Sequence, residues 1–290
     1  MAKKQLLGAV AQDIKKHYVA DVLVSPQRAI KTLVVGAGGT GSRCLSWLAQ
    51  MDSCLRQLGH GGFDVLVADG DAVSEANVGR QLFAPSDVGL NKAVVKVTRV
   101  NNFLGLRWKA LPTMLTPHVL QREGLWDLDL IITAVDKVPI RKLVYETFYQ
   151  KNSDYTPYGP AYMLDTGNGK STGQVVLGTL KSVHQPKGSD GVNRLPTVLD
   201  LYPNLSEMEE ADDGPSCSVR EALAKQSLFV NAMVADAAMS LLMDMITKGV
   251  IDYQGSYINL HPTEISPIMI DLNMWARMGF NPKTRVKKAA

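Results

Sequence analysis

The chain has 290 residues, 46% hydrophobic and 7% aromatic, enough for one large α/β domain or two ordinary ones with a sizeable core. Charged residues make up 20%, below the roughly 25% of an average soluble domain, which points to surface hidden in an oligomer. A net charge of +3 makes no case for nucleic acid, and the basic run Arg285-Val-Lys-Lys reads as a solvated tail.

In chain order, residues 1–30 read as a partly helical extension punctuated by Pro26. Its apolar run is too short for a signal peptide and is broken by Asp13. Three cysteines without a Cys-x-x-Cys pair add to the expectation of a reducing, cytoplasmic setting. Thr32-Leu-Val-Val is a β-branched apolar run, hence a strand, and Gly36-Ala-Gly-Gly-Thr-Gly follows at once. Residues 42–58 carry Cys44, Leu45, Leu48, Met51 and Leu55 at helical spacing, with Cys44 and Cys54 expected to be packed inside. Further strands are expected at 63–68, 107–111 and 128–135, with helices at 91–101, 119–124 and 138–150. Alternation of buried strands with helices means a mostly parallel sheet.

Beyond Asn152 the texture changes. Residues 162–167 and 173–180 read as strands, and 184–215 show little periodicity and hold the acidic run Glu207-Met-Glu-Glu-Ala-Asp-Asp, read as a solvated loop. The strongest helical pattern covers Val219 to Lys248, and residues 251–272 read as two strands around His261-Pro262. Leu228 to Ile246 has the length of a membrane span, but Asn231, Asp236 and Asp244 make a buried helix, in a core or a dimer interface, the better reading. The fold expected is α/β, a Rossmann-like mostly parallel sheet flanked by helices, with a crossover loop over 184–216 and antiparallel C-terminal strands. The extension (1–30), the main domain (31–275) and a basic tail (276–290) complete the division.

The chemistry concentrates where strands end. Gly36-x-Gly38-x-x-Gly41 between strand and helix lets the backbone turn tightly and approach a phosphate, with Gly39 beside it, while the helix start offers unpaired amides and a positive dipole. Asp69, ending the second strand, can accept both ribose hydroxyls, and Asp71 follows it. Arg80 and Lys92 then favour a triphosphate over a nicotinamide dinucleotide, because attack at an α-phosphorus needs cations near the leaving pyrophosphate. Asp136, at the end of the fourth strand, is placed to hold Mg²⁺ or to orient the ribose-phosphate side.

The series Gly-Ala-Gly-Gly-Thr-Gly, Asp69-Gly-Asp-x-Val-x-x-x-Asn77-x-x-Arg80-Gln81, Asp87-Val-Gly-x-x-Lys92-Ala and Ala134-Val-Asp136 resembles the signature of the ThiF/MoeB superfamily, which activates ubiquitin-like proteins. The resemblance covers residues 30–250. A narrower likeness, to ThiF-related members of the PRTRC plasmid cassette, rests on the run from Pro215 to Gln226. The superfamily resemblance implies that Gly38 and Gly39 approach the nucleotide and Asp69 takes the ribose. It implies that Arg80 and Lys92 meet the triphosphate with Asn77 and Gln81 assisting, and that Asp136 serves Mg²⁺ and the adenylate. The implied reaction is attack by a partner's C-terminal glycine carboxylate on the α-phosphate of ATP. The implied partner is a small ubiquitin-like protein, met by a homodimer with the helix from Val219 in or near the interface.

Cys217 directly precedes the capping-box pattern Ser218-Val-Arg-Glu221, where a helix dipole would favour thiolate. In ThiF-like members a cysteine at the matching place receives the partner; in MoeB-like members adenylation suffices. The chain departs from many members in lacking the two Cys-x-x-Cys pairs of a structural zinc, so none is expected. It also lacks a clear match for the N-terminal arginine that crosses to ATP, Arg28 lying very near the first strand. Rival readings are adenylation of a small-molecule or tRNA-nucleoside carboxylate, a non-catalytic nucleotide-binding scaffold, and a nicotinamide oxidoreductase. The last would leave Arg80 and Lys92 without a role.

Overall fold

A computed structural model describes residues 13–25, 28–122, 125–149, 159–205 and 227–280. The chain enters through β1 (His17–Tyr18) and α1 (Asp21–Val24), then builds β2 (Ile30–Val35), α2 (Gly39–Gln57), β3 (Phe63–Ala68), α3 (Lys92–Leu104) and β4 (Lys109–Leu111). It continues through α4 (Pro117–Arg122), β5 (Leu130–Thr133), α5 (Val138–Phe148), β6 (Tyr162–Asn168), β7 (Thr172–Thr179) and α6 (Val198–Leu201). The described chain closes with α7 (Val230–Lys248), β8 (Val250–Ile251), β9 (Tyr253–Leu260), β10 (Thr263–Met269) and α8 (Leu272–Arg277).

Eight strands form one sheet in the order β10-β9-β7-β6-β5-β2-β3-β4. From β6 to β4 every pairing is parallel, and β7, β9 and β10 add antiparallel strands. The expected architecture is the observed one. It follows from strands such as Leu130-Ile-Ile-Thr, buried on both faces because helices cover both. On one face Ile30, Val34, Val65 and Ile132 pack under α2, α3 and α7; on the other Leu33, Val35 and Ile131 meet α4 and α5. Strand order reverses at β2, which lies between β5 and β3, so a crevice opens at the carboxyl ends of β2 and β5.

α7 has the length and hydropathy of a membrane span, yet it is a core helix whose two acidic residues are both engaged. Asp236 accepts from Trp47 Nε1 at 2.7 Å and Asp244 accepts from the Tyr253 hydroxyl at 2.9 Å. The long helix is shorter than its pattern. It begins at Val230, because the Ser227 amide donates to Lys170 O (2.8 Å) in the β6–β7 turn and Leu228 and Phe229 form a turn. Cys217, the capping-box residues and the run from Pro215 to Gln226 lie outside the described residues, as does Glu207–Asp213.

Cys44 is buried as expected, and burial pushes its thiol up to about 12. Cys54 is exposed, against expectation: it sits beside the buried stripe that ends at Leu55, not on it. Asp52 takes the inward place instead, accepting from the Phe63 amide at 2.6 Å and Arg56 Nε at 2.8 Å. The irregular stretch 184–205 is anchored. Gln185 exchanges hydrogen bonds with Tyr18 N and O at 2.9 and 3.0 Å, and Val192 N donates to Lys16 O at 2.8 Å.

Candidate nucleotide site

The loop after β2 is shaped by what surrounds it. Gly36 adopts φ +93°, and a Cβ there would lie 2.4 Å from Ala134 O. A Cβ on Gly41 would lie 2.0 Å from Gly36 O, so α2 starts pressed against its own loop. Gly38 differs: the nearest atoms to an added Cβ are those of the Gln81 amide, at 3.8 and 3.9 Å. A side chain at Gly38 would thus touch Gln81 at ordinary van der Waals distance, so the two residues face each other beside the crevice. Gly39 faces protein, because Asn231 of α7 would meet its Cβ at 2.3 Å. Asn231 also accepts from Thr40 Oγ1 at 3.0 Å, and Thr40 reaches Asn168 at the end of β6 (3.2 Å).

Asp69 ends β3 as expected, and its carboxylate braces the loop. Ala37 N donates to Oδ2 at 2.6 Å and Asp71 N to Oδ1 at 2.9 Å. Partial burial raises the Asp69 pKa, opposed by those two amides and by Lys92. Asn91 caps α3 through Val94 N (3.0 Å), and its amide donates to Asp69 O (2.8 Å) and Asp71 O (3.2 Å). Lys92 is thereby set at the start of α3 with Nζ 3.0 Å from Asp71 Oδ2. Asp71 and Lys92 form a pair, so the lysine reaches this crevice already charge-compensated.

Asn77 and Gln81 are both buried. The Asn77 side chain accepts from Ser74 N (3.0 Å) and closes a 3-10 turn over Glu75–Asn77, while Gln81 N donates to Asn77 O at 2.8 Å. Asn77 shapes the segment, whereas Gln81 faces Gly38 with a buried Oε1 that has no partner. Burial lowers the Arg80 pKa and the Asp136 charge opposes that shift, so the two residues are near enough to interact electrostatically. Asp136 is exposed. No group of three His, Cys, Asp or Glu that could hold a metal occurs among the described residues.

Sequence reasoning missed a buried network below Asp136. Thr133 Oγ1 and Arg141 Nε donate to Asp165 Oδ1 at 2.6 and 2.8 Å, and Arg141 Nη2 donates to Thr166 O at 3.1 Å. It ties α5 to the end of β6 and so fixes the loop that carries Asp136. The signal was an arginine one turn into α5 and an aspartate in an apolar strand; only the β5–β6 register brings them together. Arg28 is elsewhere. Nη1 and Nη2 donate to Asp129 at 2.6 and 2.8 Å, at the amino ends of β2 and β5, opposite the crevice.

The fold agrees with structures of low sequence identity. PaaA superposes with a TM-score of 0.55 at 15% identity, covering 86% of this chain and 67% of that one. Escherichia coli MccB with AMPCPP and MccA gives 0.56 at 14%, covering 86% and 66%, and MccB with ATP gives 0.54 at 12%, covering 86% and 66%. The chain thus spans about two thirds of the length of these proteins. A search of curated proteins finds no match. The model of the ThiF family matches residues 25–270, so this chain belongs to the ThiF family.

Proposed function

We propose that the protein uses ATP to adenylate the C-terminal glycine carboxylate of a small ubiquitin-like protein. Family membership supports adenylation chemistry, and MccB, of the same fold, has been solved with ATP and with AMPCPP and MccA together. The observation that carries the reading is the placement of Asp69 and Lys92 beside the glycine loop, with Ala37 N on Asp69 Oδ2 at 2.6 Å and Lys92 Nζ 3.0 Å from Asp71 Oδ2. In this reading a partner carboxylate oxygen attacks the α-phosphorus, an acyl–phosphate bond forms, the α–β anhydride breaks, and pyrophosphate leaves. Asp69 accepts from the ribose hydroxyls. Arg80 and Lys92 stabilise charge on the leaving pyrophosphate, and Gln81 supplies a polar group opposite Gly38. Magnesium, when bound, neutralises phosphate charge. A lone exposed Asp136 suits an ion whose other ligands are phosphates and waters, since magnesium needs only one or two carboxylates. The active form in this reading is a cytoplasmic homodimer, and Cys217 accepts the activated acyl group as a thioester.

ATP–pyrophosphate exchange, measured with candidate partners that end in glycine, tests the reading. Arg80→Ala and Lys92→Ala should each cost on the order of a hundred- to a thousandfold in exchange rate. Cys217→Ala should keep exchange and lose a reductant-sensitive partner adduct. Tight NADH binding without ATP binding would overturn the whole assignment.

A further inference from the structure

Positive charge is packed along the outer edge of α2 beyond what the site above uses. Arg43 and Ser46 are one turn apart on α2, while Lys92, Lys96 and Arg99 fall on one stripe of α3. The two helices pack side by side, and Lys96 Nζ lies 3.4 Å from Ser46 Oγ. Two of these cations have counter-charges: Lys92 pairs with Asp71, and Arg99 pairs with Asp87 (2.5 Å). The other two do not. Lys96 is only 4% exposed, and the long contact to Ser46 is its one hydrogen bond among the described residues. Arg43 makes no hydrogen bond or ion pair with any described residue, and its Nε is buried. Burial, then Arg99 and Arg43, push the Lys96 ammonium down to about 8, with Asp87 opposing. Three cations, Arg43, Lys96 and Arg99, share the single carboxylate of Asp87, and burying such an excess of charge is costly, so the arrangement is short of an anion.

The direction of Arg43 says which anion. Helical side chains lean toward the helix N-terminus and cover the turn before their own Cα. Arg43 is four residues beyond Gly39, which places it one helical turn from the glycine loop. Arg99 Nη1 holds Leu82 O at 3.0 Å, and Leu82 directly follows Gln81, which faces Gly38. The segment that carries Arg80 and Gln81 is therefore fastened onto α3, the helix that carries Lys96.

We propose that Arg43 and Lys96 form an anion subsite beside the glycine loop that takes the distal phosphates of a nucleoside triphosphate. This rests on the nucleotide reading above and assigns the terminal phosphates to residues of the domain itself. Arg28 cannot supply that charge while it is held by Asp129 at the other end of the sheet.

The test is calorimetric binding of ATP, ADP and AMP to the wild type, Arg43→Met and Lys96→Met, with thermal melts to check folding. Both variants should lose about ten- to a hundredfold in ATP affinity while AMP affinity stays put. Inorganic tripolyphosphate should compete with ATP on the wild type and compete poorly on Arg43→Met. Equal losses for ATP and AMP, or no loss in either variant, overturn the subsite. So does a change in oligomeric state at an unchanged ATP-to-AMP ratio, which would assign the cations to a second copy's acids. If the wild type binds no adenine nucleotide, the functional reading itself fails and takes the subsite with it; if it binds ATP and the ratio survives both substitutions, only the subsite fails.

Discussion

The two ends of the central sheet treat polar groups in opposite ways. At the amino ends, a buried carboxylate and a buried imidazole both find partners. Asp129 accepts both terminal nitrogens of Arg28 and the Lys31 amide (2.9 Å). His17 is fully buried, yet Nδ1–H donates to Val192 O (2.7 Å) and Nε2 accepts from the Tyr162 hydroxyl (2.9 Å), which in turn accepts from Ala20 N. At the carboxyl ends, Gln81 Oε1 and Asn168 Nδ2 are buried without partners among the described residues, and Arg43 and Lys96 form no ion pair with any of these. The first end joins the chain's entry segment to the core and serves stability. The second stores unmet hydrogen-bonding and charge, which a polyphosphate would complete, at the cost of stability without ligand.

The comparison can be broken most sharply at His17. Burial lowers its pKa from 6.5 to about 4, so between those values the unfolded chain takes up a proton that the folded chain refuses. Its contribution is complete above pH 6.5, declines as pH falls, and is gone below about 4. Denaturant titrations across this window should show a loss of about 3 kcal/mol that a His17→Gln variant does not show. A flat wild-type profile would remove His17 from the account of the amino end.

Asp129→Ala comes next. It leaves the Lys31 amide without its acceptor and frees Arg28, and should cost about 2 kcal/mol with ATP affinity unchanged. Altered nucleotide affinity in this variant would show that the two ends are not separate in function. The smallest effect has the opposite sign. Lys96→Met removes a buried ammonium that faces Arg43, Arg99 and Asp87, and should stabilise the ligand-free protein by about 1 kcal/mol near neutral pH while shrinking the melting shift caused by ATP. Destabilisation without ligand would mean that the lysine already has its compensation.

Much of this was legible in the residues. The strand Phe63–Ala68 and the pattern of Cys44, Leu45, Leu48, Met51 and Leu55 appear as read, because periodicity reports local burial directly. Asp69 and Lys92 reach the crevice because each sits at the boundary of an element, where sequence signals are strongest. The packing of Asn231 against Gly39 was not legible, since the two are remote in sequence. The start of α7 was misplaced because a turn bond to Lys170 interrupts an otherwise continuous pattern. Asp165 and Arg141 passed unnoticed for the same reason as Asn231: neither has meaning until strand register supplies the other.

By itself the sequence determined the alternation of strands and helices, the glycine turn and the order of acids and cations along the chain, because these depend on neighbours a few residues apart. Only the tertiary structure decided which cations pair with a carboxylate and which glycines of the loop are crowded by their neighbours. Those outcomes depend on side chains brought together from α2, α3 and α7, and no local pattern records such meetings.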